Sequence, residues 1–203
     1  MSRLVAAIYD RFMAESERAC LQQWRAELLS GLTGRVLELG AGTGANLVHY
    51  PTTVELVLAE PDRHMRRRLQ RRVDTARVEL AEYTAEAIAA ERGSFDAVVG
   101  TLLLCTVPDA QAVLDEVARV LKPGGQYLFI EHVAADSGTG RRRWQRRLEP
   151  FWRRLADGCK LTCDTESTLR SQPELEMESI ERTSMRKALP WLRPTIRGTA
   201  RRA

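Results

Sequence analysis

Cysteine is scarce. Four cysteines in 203 residues are too few for a disulfide framework, so a reducing, cytoplasmic compartment is expected. No apolar run approaches the ~18 residues that cross a bilayer, so no transmembrane helix is expected. Residues 1–20 lack the apolar core of a signal peptide, because Asp10 and Arg11 interrupt it. Neither sign of charge dominates: 31 basic against 27 acidic residues leave +4, too mild a balance to point to nucleic acid. Collagen-like, low-complexity and disordered classes are excluded by a content of 44% hydrophobic and 29% charged residues. Lysine is confined to positions 122, 160 and 187, so the positive charge is almost all arginine. The length suits one domain.

What is present is an alternation of short apolar runs and helical patterns. Residues 4–29 form a helix by spacing, with Leu4, Ile8, Phe12, Leu21, Trp24 and Leu28 on its apolar face. Apolar runs at 36–39, 54–59, 78–81, 95–104 and 127–130 alternate with helical patterns near 45–50, 62–73, 84–91 and 109–121. Fully apolar strands between helices predict an α/β fold, a parallel sheet covered on both faces. Beyond residue 135 the pattern changes to an Arg-rich helix reaching about 156, a helix over 164–171, and a closing strand pair at 175–183 and 195–201.

The segment Glu38-Leu39-Gly40-Ala41-Gly42-Thr43-Gly44 carries the most chemistry. A buried strand runs into glycines at alternate positions, which permit positive φ and a close approach of ligand to backbone. The first strand–helix turn of such a sheet is where nucleotide-like ligands sit. The spacing GxGxG differs from the pyrophosphate-binding GxGxxG, and no GK[ST] follows, so an uncharged or cationic ligand fits better. Glu38, just before the loop, is placed to face a positive group. Glu60-Pro61 ends the second strand, where a carboxylate can accept hydrogen bonds from both ribose hydroxyls. Read alone, a Gly-rich turn is only a tight connection; the strand, the loop, Glu60 and the parallel pattern together point to a site.

The stretches ELGAGTG, AEPD, SFDAVVGTLLLCTVPD and EVARVLKPGGQYLFIEHVAA resemble a class I S-adenosylmethionine (SAM)-dependent methyltransferase over residues 34–135. That resemblance implies a Rossmann-like sheet of seven strands, the last antiparallel, with helices on both faces. The segments Trp144-Gln145, Leu148-Glu149-Pro150, Asp157-Gly158-Cys159, Leu161-Thr162 and 194–200 are similar to the thiol S-methyltransferases and their bacterial relatives. The eukaryotic members carry an N-terminal membrane anchor that residues 1–20 do not resemble, so membrane residence does not carry over. Where the family usually has Arg after Leu-Thr, this chain has Cys163. The organisation implied is one domain over 1–203: a helical cap (1–30), a SAM-binding core (34–135), a helical insertion over the acceptor pocket (136–172) and the closing strands (173–203).

On that resemblance the cofactor is SAM, its product S-adenosylhomocysteine, and its contacts are Glu38, Gly40, Ala41, Gly42, Gly44, Glu60, Pro61 and Leu102, with Thr84, Ala85 and Glu86 candidates near the adenine. Leu103, Glu131, Trp144, Phe151 and Trp152 are candidates for the acceptor pocket. His132, at the carboxyl end of the fifth strand, is the candidate catalytic base. Glu131 points to the opposite side of a regular strand. No metal site is expected: Cys159 and Cys163 form one C-x₃-C pair, and His49, His64 and His132 lie far apart in sequence. Cys105 reads as a buried small residue. Residues 141–155 hold seven arginines beside Trp144, Leu148, Phe151, Trp152 and Leu155, which suits a pocket cover and also a peripheral contact with an anionic membrane. A nucleic-acid partner is not expected. The acceptor expected is a small lipophilic molecule, a thiol above others. C-, O- or N-methylation of a quinone or phospholipid is the alternative, and a non-catalytic SAM-binding regulator is the alternative of another class.

Overall fold

The computed structural model describes residues 3–74 and 78–203; the side chains of residues 3–5 and 7 lie outside the described set, Leu4 of the expected apolar face among them. Helix α1 (Arg3–Ser16) runs through a π-helical turn (Glu17–Leu21) into α2 (Gln22–Leu29). A π turn inserts one residue and rotates whatever follows. The rotated face buries Leu21, Trp24 and Leu29, and with them the charged Arg25, only 4% exposed.

Seven strands form one sheet: β1 (Arg35–Leu39), β2 (Glu55–Ala59), β3 (Val78–Ala81), β4 (Phe95–Thr101), β5 (Leu121–His132), β6 (Leu175–Ser184) and β7 (Pro194–Arg202). Their order is β3-β2-β1-β4-β5-β7-β6. The pairs among β1–β5 are parallel, and β7 runs antiparallel to both β5 and β6. Chain direction of crossover therefore reverses between β1 and β4, the point where open α/β sheets bind ligands outside their strand ends. Helices α3 (Arg63–Leu69), α4 (Ala110–Val120), α5 (Gly140–Leu155) and α6 (Thr165–Ser171) complete the fold.

The strands read as unbroken apolar runs because both faces are covered. Leu37, Leu39, Val57 and Val98 pack with Val113, Leu114 and Val117 of α4. Val36, Leu56, Leu58 and Val99 face the other way, toward Leu29, Leu32 and Leu69. The two-residue period of β1 puts Glu38 on the Val36 face, toward α2. A third cluster joins Met13, Leu21 and Trp24 to Ile130 and Leu161, fixing the N-terminal helices against the end of β5.

Three expected helices are shorter or missing. Only a 3-10 turn (Leu47–His49) forms within 45–50, and α3 ends at Leu69. Residues 84–91 are not helical. Their backbone groups are met from outside: Glu116 accepts from Ile88 N, and Arg119 donates to the carbonyls of Ile88 and Ala90. A segment whose polar groups are satisfied by side chains has no need of a helical ladder.

Candidate active site

The cavity at the β1/β4 switch point measures about 220 Å³ and is lined by Glu38, Gly40, Gly42 and Thr101 below and by Tyr9 and Met13 of α1 above. Its floor is the glycine loop. Gly40, Gly42 and Gly44 have φ of 64°, 59° and 86°. At Gly40 a Cβ would sit 2.8 Å from Leu103 Cδ1, so only glycine lets the loop pass beneath the turn after β4. Asp10 of α1 holds the loop from above: Thr43 Oγ1 donates to Asp10 Oδ1 (2.5 Å), and Arg72 bridges Asp10 Oδ2 (2.6 Å) and the Thr43 carbonyl (3.0 Å).

Glu60, at the end of β2, is 6% exposed. Its carboxylate accepts from Gly42 N and from Asp62 N, both at 2.8 Å. Burial raises its pKa, against those two amides. Pro61 beside it is exposed, and its carbonyl accepts from Arg66. Glu38 is buried and accepts from Asn46 Nδ2 (2.9 Å) and Tyr50 OH (2.8 Å). Burial pushes its carboxyl up to about 7, while Tyr50, Asn46 and the Arg25 charge oppose the rise. Arg25 donates to Asn46 Oδ1 (2.6 Å), Thr101 Oγ1 (3.0 Å) and Glu17 (3.0 Å). Arg25, Asn46 and Tyr50 thus form a polar network around Glu38 that the sequence reading missed, and of the three Arg25 lines the cavity. The available signal was a charged residue inside the apolar run Leu21, Trp24, Leu28.

Of the expected cofactor residues, Glu38, Gly40, Ala41 and Gly42 line the cavity together; Gly44, Glu60, Pro61 and Leu102 do not line it. Leu102 adopts φ 56°, an uncommon left-handed conformation for leucine. Thr84 is exposed, Ala85 buried, and Glu86 presents a buried Oε1 with no partner.

The expected acceptor-pocket residues fall in different settings. Leu103 is buried and packs on the glycine loop. Glu131 is fully buried, and its Oε1 accepts from Leu103 N and Leu104 N at 3.0 Å, so it braces the turn after β4 from inside. Burial pushes its carboxyl up to about 8, against the amides of Leu104 and Leu103. Trp144 and Phe151 face outward, 59% and 69% exposed. The inward face of α5 is set by Gln145, which bonds Ala135 N, the Val133 carbonyl and the Trp191 carbonyl, and by Glu149, which accepts from Thr162. These anchors rotate α5 so that Trp152 turns inward, against Phe12 and Trp191, while Trp144 and Phe151 do not.

His132 is 2% exposed and lies outside the cavity lining. Burial pulls its pKa down, but Cys159 and Cys163 beside it outweigh that and raise it to about 10. Cys105, His132 and Cys159, far apart in sequence, meet here.

Glycine loop, acidic residue closing β2 and a cavity at the switch point fit a sulfonium nucleoside: a backbone free of Cβ atoms, a carboxylate at sugar distance from the loop, and Glu38 for an ammonium. The family model "Methyltransferase domain" matches residues 37–129. Thiol S-methyltransferase TMT1B of Homo sapiens is 36% identical over 198 residues, 94% of this chain and 80% of that protein. The chain belongs to the SAM-dependent methyltransferase family. TMT1A of Homo sapiens, also named a thiol S-methyltransferase, is 34% identical over 206 residues, 95% of this methyltransferase and 81% of the relative. Geranyl diphosphate C-methyltransferase from Streptomyces coelicolor A3(2) shares the fold, with a TM-score of 0.72 at 16% identity over 97% of this methyltransferase and 84% of that chain. Both TMT1 alignments extend past residue 129, so they include part of the insertion and the closing strands that the family model leaves out.

Proposed function

We propose that this methyltransferase transfers the methyl group of SAM to a small, lipophilic thiol. The reading is carried by likeness over nearly the whole chain to two proteins named thiol S-methyltransferases. When bound, SAM supplies an electrophilic methyl group on a sulfonium. The work of the protein is then alignment and exclusion of water. In this reading the backbone of Gly40, Ala41, Gly42 and Gly44 lies against the methionine and ribose, Glu60 holds the ribose hydroxyls, and Glu38 faces the ammonium. Thr84, Ala85 and Glu86 stand near the adenine, where the unpartnered Glu86 Oε1 suits an exocyclic amine. Leu102 and Leu103 pack beside the methyl path. A thiol acceptor with a pKa near 8.5 already carries a thiolate fraction at neutral pH, so no dedicated base is required.

The test is incubation with methyl-labelled SAM and a panel of alkyl thiols, phenols, amines and quinols. Label on the thiols is expected. Label confined to oxygen, nitrogen or carbon acceptors overturns the thiol assignment, and none on any acceptor, with SAM bound, favours a regulator.

We also propose that the protein works against an anionic membrane surface from the cytoplasmic side. No helix among the described residues is long and apolar enough to cross a membrane. The outward face of α5 instead exposes Trp144, Phe151 and Leu155 among exposed arginines, and α1 exposes Ile8 and Phe12. All four cysteines are free, even the Cys105–Cys159 pair with sulfurs 3.9 Å apart, which suits a reducing compartment.

A further inference from the structure

Three distant pieces of chain converge at the carboxyl edge of the sheet. The turn after β4 brings Cys105, the last residue of β5 is His132, and the turn after α5 brings Cys159. One ligand atom from each lies within 4.8 Å of the others. The two sulfurs are 3.9 Å apart. Two thiolates on a tetrahedral zinc ion with Zn–S bonds of ~2.3 Å stand about 3.8 Å apart. All three residues are buried, with exposures of 2%, 2% and 9%.

The histidine is oriented for the role. Its Nε2 lies 3.3 Å from the Trp191 carbonyl. Its Nδ1 is buried and has no hydrogen-bond partner. A backbone carbonyl on one ring nitrogen is how a metal-ligating histidine is commonly fixed, with the other nitrogen's lone pair free for the ion. The Trp191 carbonyl is itself held by Gln145 Nε2 at 2.9 Å. The two cysteine-bearing turns are stitched together by Lys160 N donating to the Cys105 carbonyl (2.7 Å) and Lys160 Nζ donating to the carbonyls of Val107 and Pro108 (both 2.9 Å). Gly158, at φ 91°, lets the chain turn into Cys159 where a Cβ would stand 3.2 Å from the Thr106 carbonyl. The Cys105 and Cys159 turns are thus tied to each other, and the histidine ring is tied through Trp191 to α5.

We propose that Cys105 Sγ, Cys159 Sγ and His132 Nδ1 bind one soft or borderline metal ion, with zinc(II) as the expected occupant. Two sulfurs and an imidazole select zinc or copper(I) over the oxygen-seeking magnesium and calcium. Two thiolates and a neutral imidazole balance the charge of a divalent zinc ion, so the buried centre carries no net charge. Binding releases to solvent the protons that the two thiols and the imidazole Nδ1 hold, and involves no redox step. Cys163 is outside the set: its sulfur is turned to the carbonyls of His132 (3.2 Å) and Lys160 (3.4 Å). The chain supplies three of the four ligands of a tetrahedral zinc ion. The site does not depend on which acceptor is methylated.

The full chain, purified under reducing conditions and freed of metal with a chelator, is titrated with zinc, desalted and assayed for metal by mass spectrometry. One zinc per chain is expected. Cobalt(II) in its place is expected to give a thiolate-to-cobalt charge-transfer band and the strong visible bands of a four-coordinate ion. Cys159→Ser is expected to weaken binding at least ~10-fold and to lower the charge-transfer intensity by about half, while Cys163→Ser leaves both unchanged. Circular dichroism checks that each variant is folded. If Cys159→Ser fails to fold, wild-type protein decides the matter through protection of its thiols from a maleimide reagent by added zinc. Folded wild-type protein that retains no zinc, gives no tetrahedral cobalt spectrum and shows no thiol protection overturns the site. None of these readouts uses methyl transfer, so they stand or fall apart from the thiol-acceptor reading.

Discussion

The Glu60 carboxylate accepts a hydrogen bond from the Gly42 amide at 2.8 Å, so the end of β2 grips the glycine loop that follows β1. Its second oxygen is engaged by Asp62 N at the same distance. The residue proposed to hold the ribose therefore also fixes the loop that would receive the rest of the cofactor. Glu60→Ala is expected to weaken SAM and S-adenosylhomocysteine binding by about 10- to 100-fold, the scale of one charged hydrogen bond. Glu60→Gln keeps an acceptor for Gly42 and is expected to lose less. Isothermal titration calorimetry of folded variants measures both, and unchanged affinity in Glu60→Ala removes Glu60 from the site.

Glu38 makes binding depend on pH. Its carboxyl titrates at about 7 in the folded chain because burial outweighs Tyr50, Asn46 and Arg25, with Glu60 adding a repulsive charge. The unfolded chain loses that proton near pH 4.5, the ordinary value for a glutamate. The folded state therefore binds the extra proton, and this group's contribution to stability falls as pH rises from about 4.5 to about 7. Binding of a cationic cofactor runs the other way, because only the ionised carboxylate attracts it. SAM affinity is expected to rise between about pH 6 and about pH 8, and Glu38→Gln to flatten that rise. Burial and then the Arg25 charge lower the pKa of His49, away from the upper part of this range. A slope that survives in Glu38→Gln assigns the titration elsewhere.

The strands and the glycine loop were legible because they are governed by local rules: a two-faced strand is apolar throughout, and a ligand-facing turn needs glycine. The count of seven strands and the antiparallel last strand followed from the family resemblance, while the strand order did not come from the sequence. Residues 84–91 were misread because their hydrogen-bond partners, Glu116 and Arg119, lie some thirty residues away. The apolar stripe of α5 was seen, but its rotation depends on Gln145 reaching Val133, Ala135 and Trp191, partners that spacing cannot reveal. The burial of Arg25 follows from a π turn, which has no simple residue pattern. Cys159 was paired with Cys163, Cys105 was read as a small core residue and His132 was set aside as distant in sequence, yet the fold brings Cys105, His132 and Cys159 together.

Glu131 braces the turn after β4 with one oxygen shared by two backbone amides. Glu131→Ala leaves both amides buried without an acceptor and is expected to cost about 2–4 kcal/mol in chemical denaturation. Glu131→Gln retains a carbonyl at that position and is expected to cost less than ~1 kcal/mol. Similar losses in the two variants would mean that the charge, and not the acceptor, is what the turn needs.

Asp10 ties α1 to the loop through Thr43 and Arg72, whose side chain is 46% exposed. Partly exposed pairs contribute only about 0.2–1 kcal/mol, so Asp10→Ala is expected to leave the melting temperature nearly unchanged. Its effect is expected in the local opening of α1 over the cavity, read as faster hydrogen exchange in α1 and faster dissociation of S-adenosylhomocysteine. Exchange in α1 identical to wild type would show that packing of Tyr9 and Met13, not the polar latch, holds the cap closed.

The outward face of α5 tests the membrane proposal without disturbing the fold. Trp144, Phe151 and Leu155 are each more than half exposed, and six of the seven arginines on the helix are exposed as well. A basic residue near an anionic surface contributes about 1 kcal/mol, screened by salt over ~10 Å, and inserted apolar side chains add a part that salt does not remove. Co-sedimentation is therefore expected with vesicles of phosphatidylcholine and phosphatidylglycerol, and not with phosphatidylcholine alone. The triple variant Trp144→Ala, Phe151→Ala, Leu155→Ala is expected to weaken binding about 10-fold or more, with stability changed by less than ~0.5 kcal/mol per site. Salt is expected to weaken the variant's binding more completely than the wild type's, since only charge is left to hold it. Equal binding by the variant and wild type would mean that the aromatics do not insert, and no binding by either at low salt would end the membrane proposal.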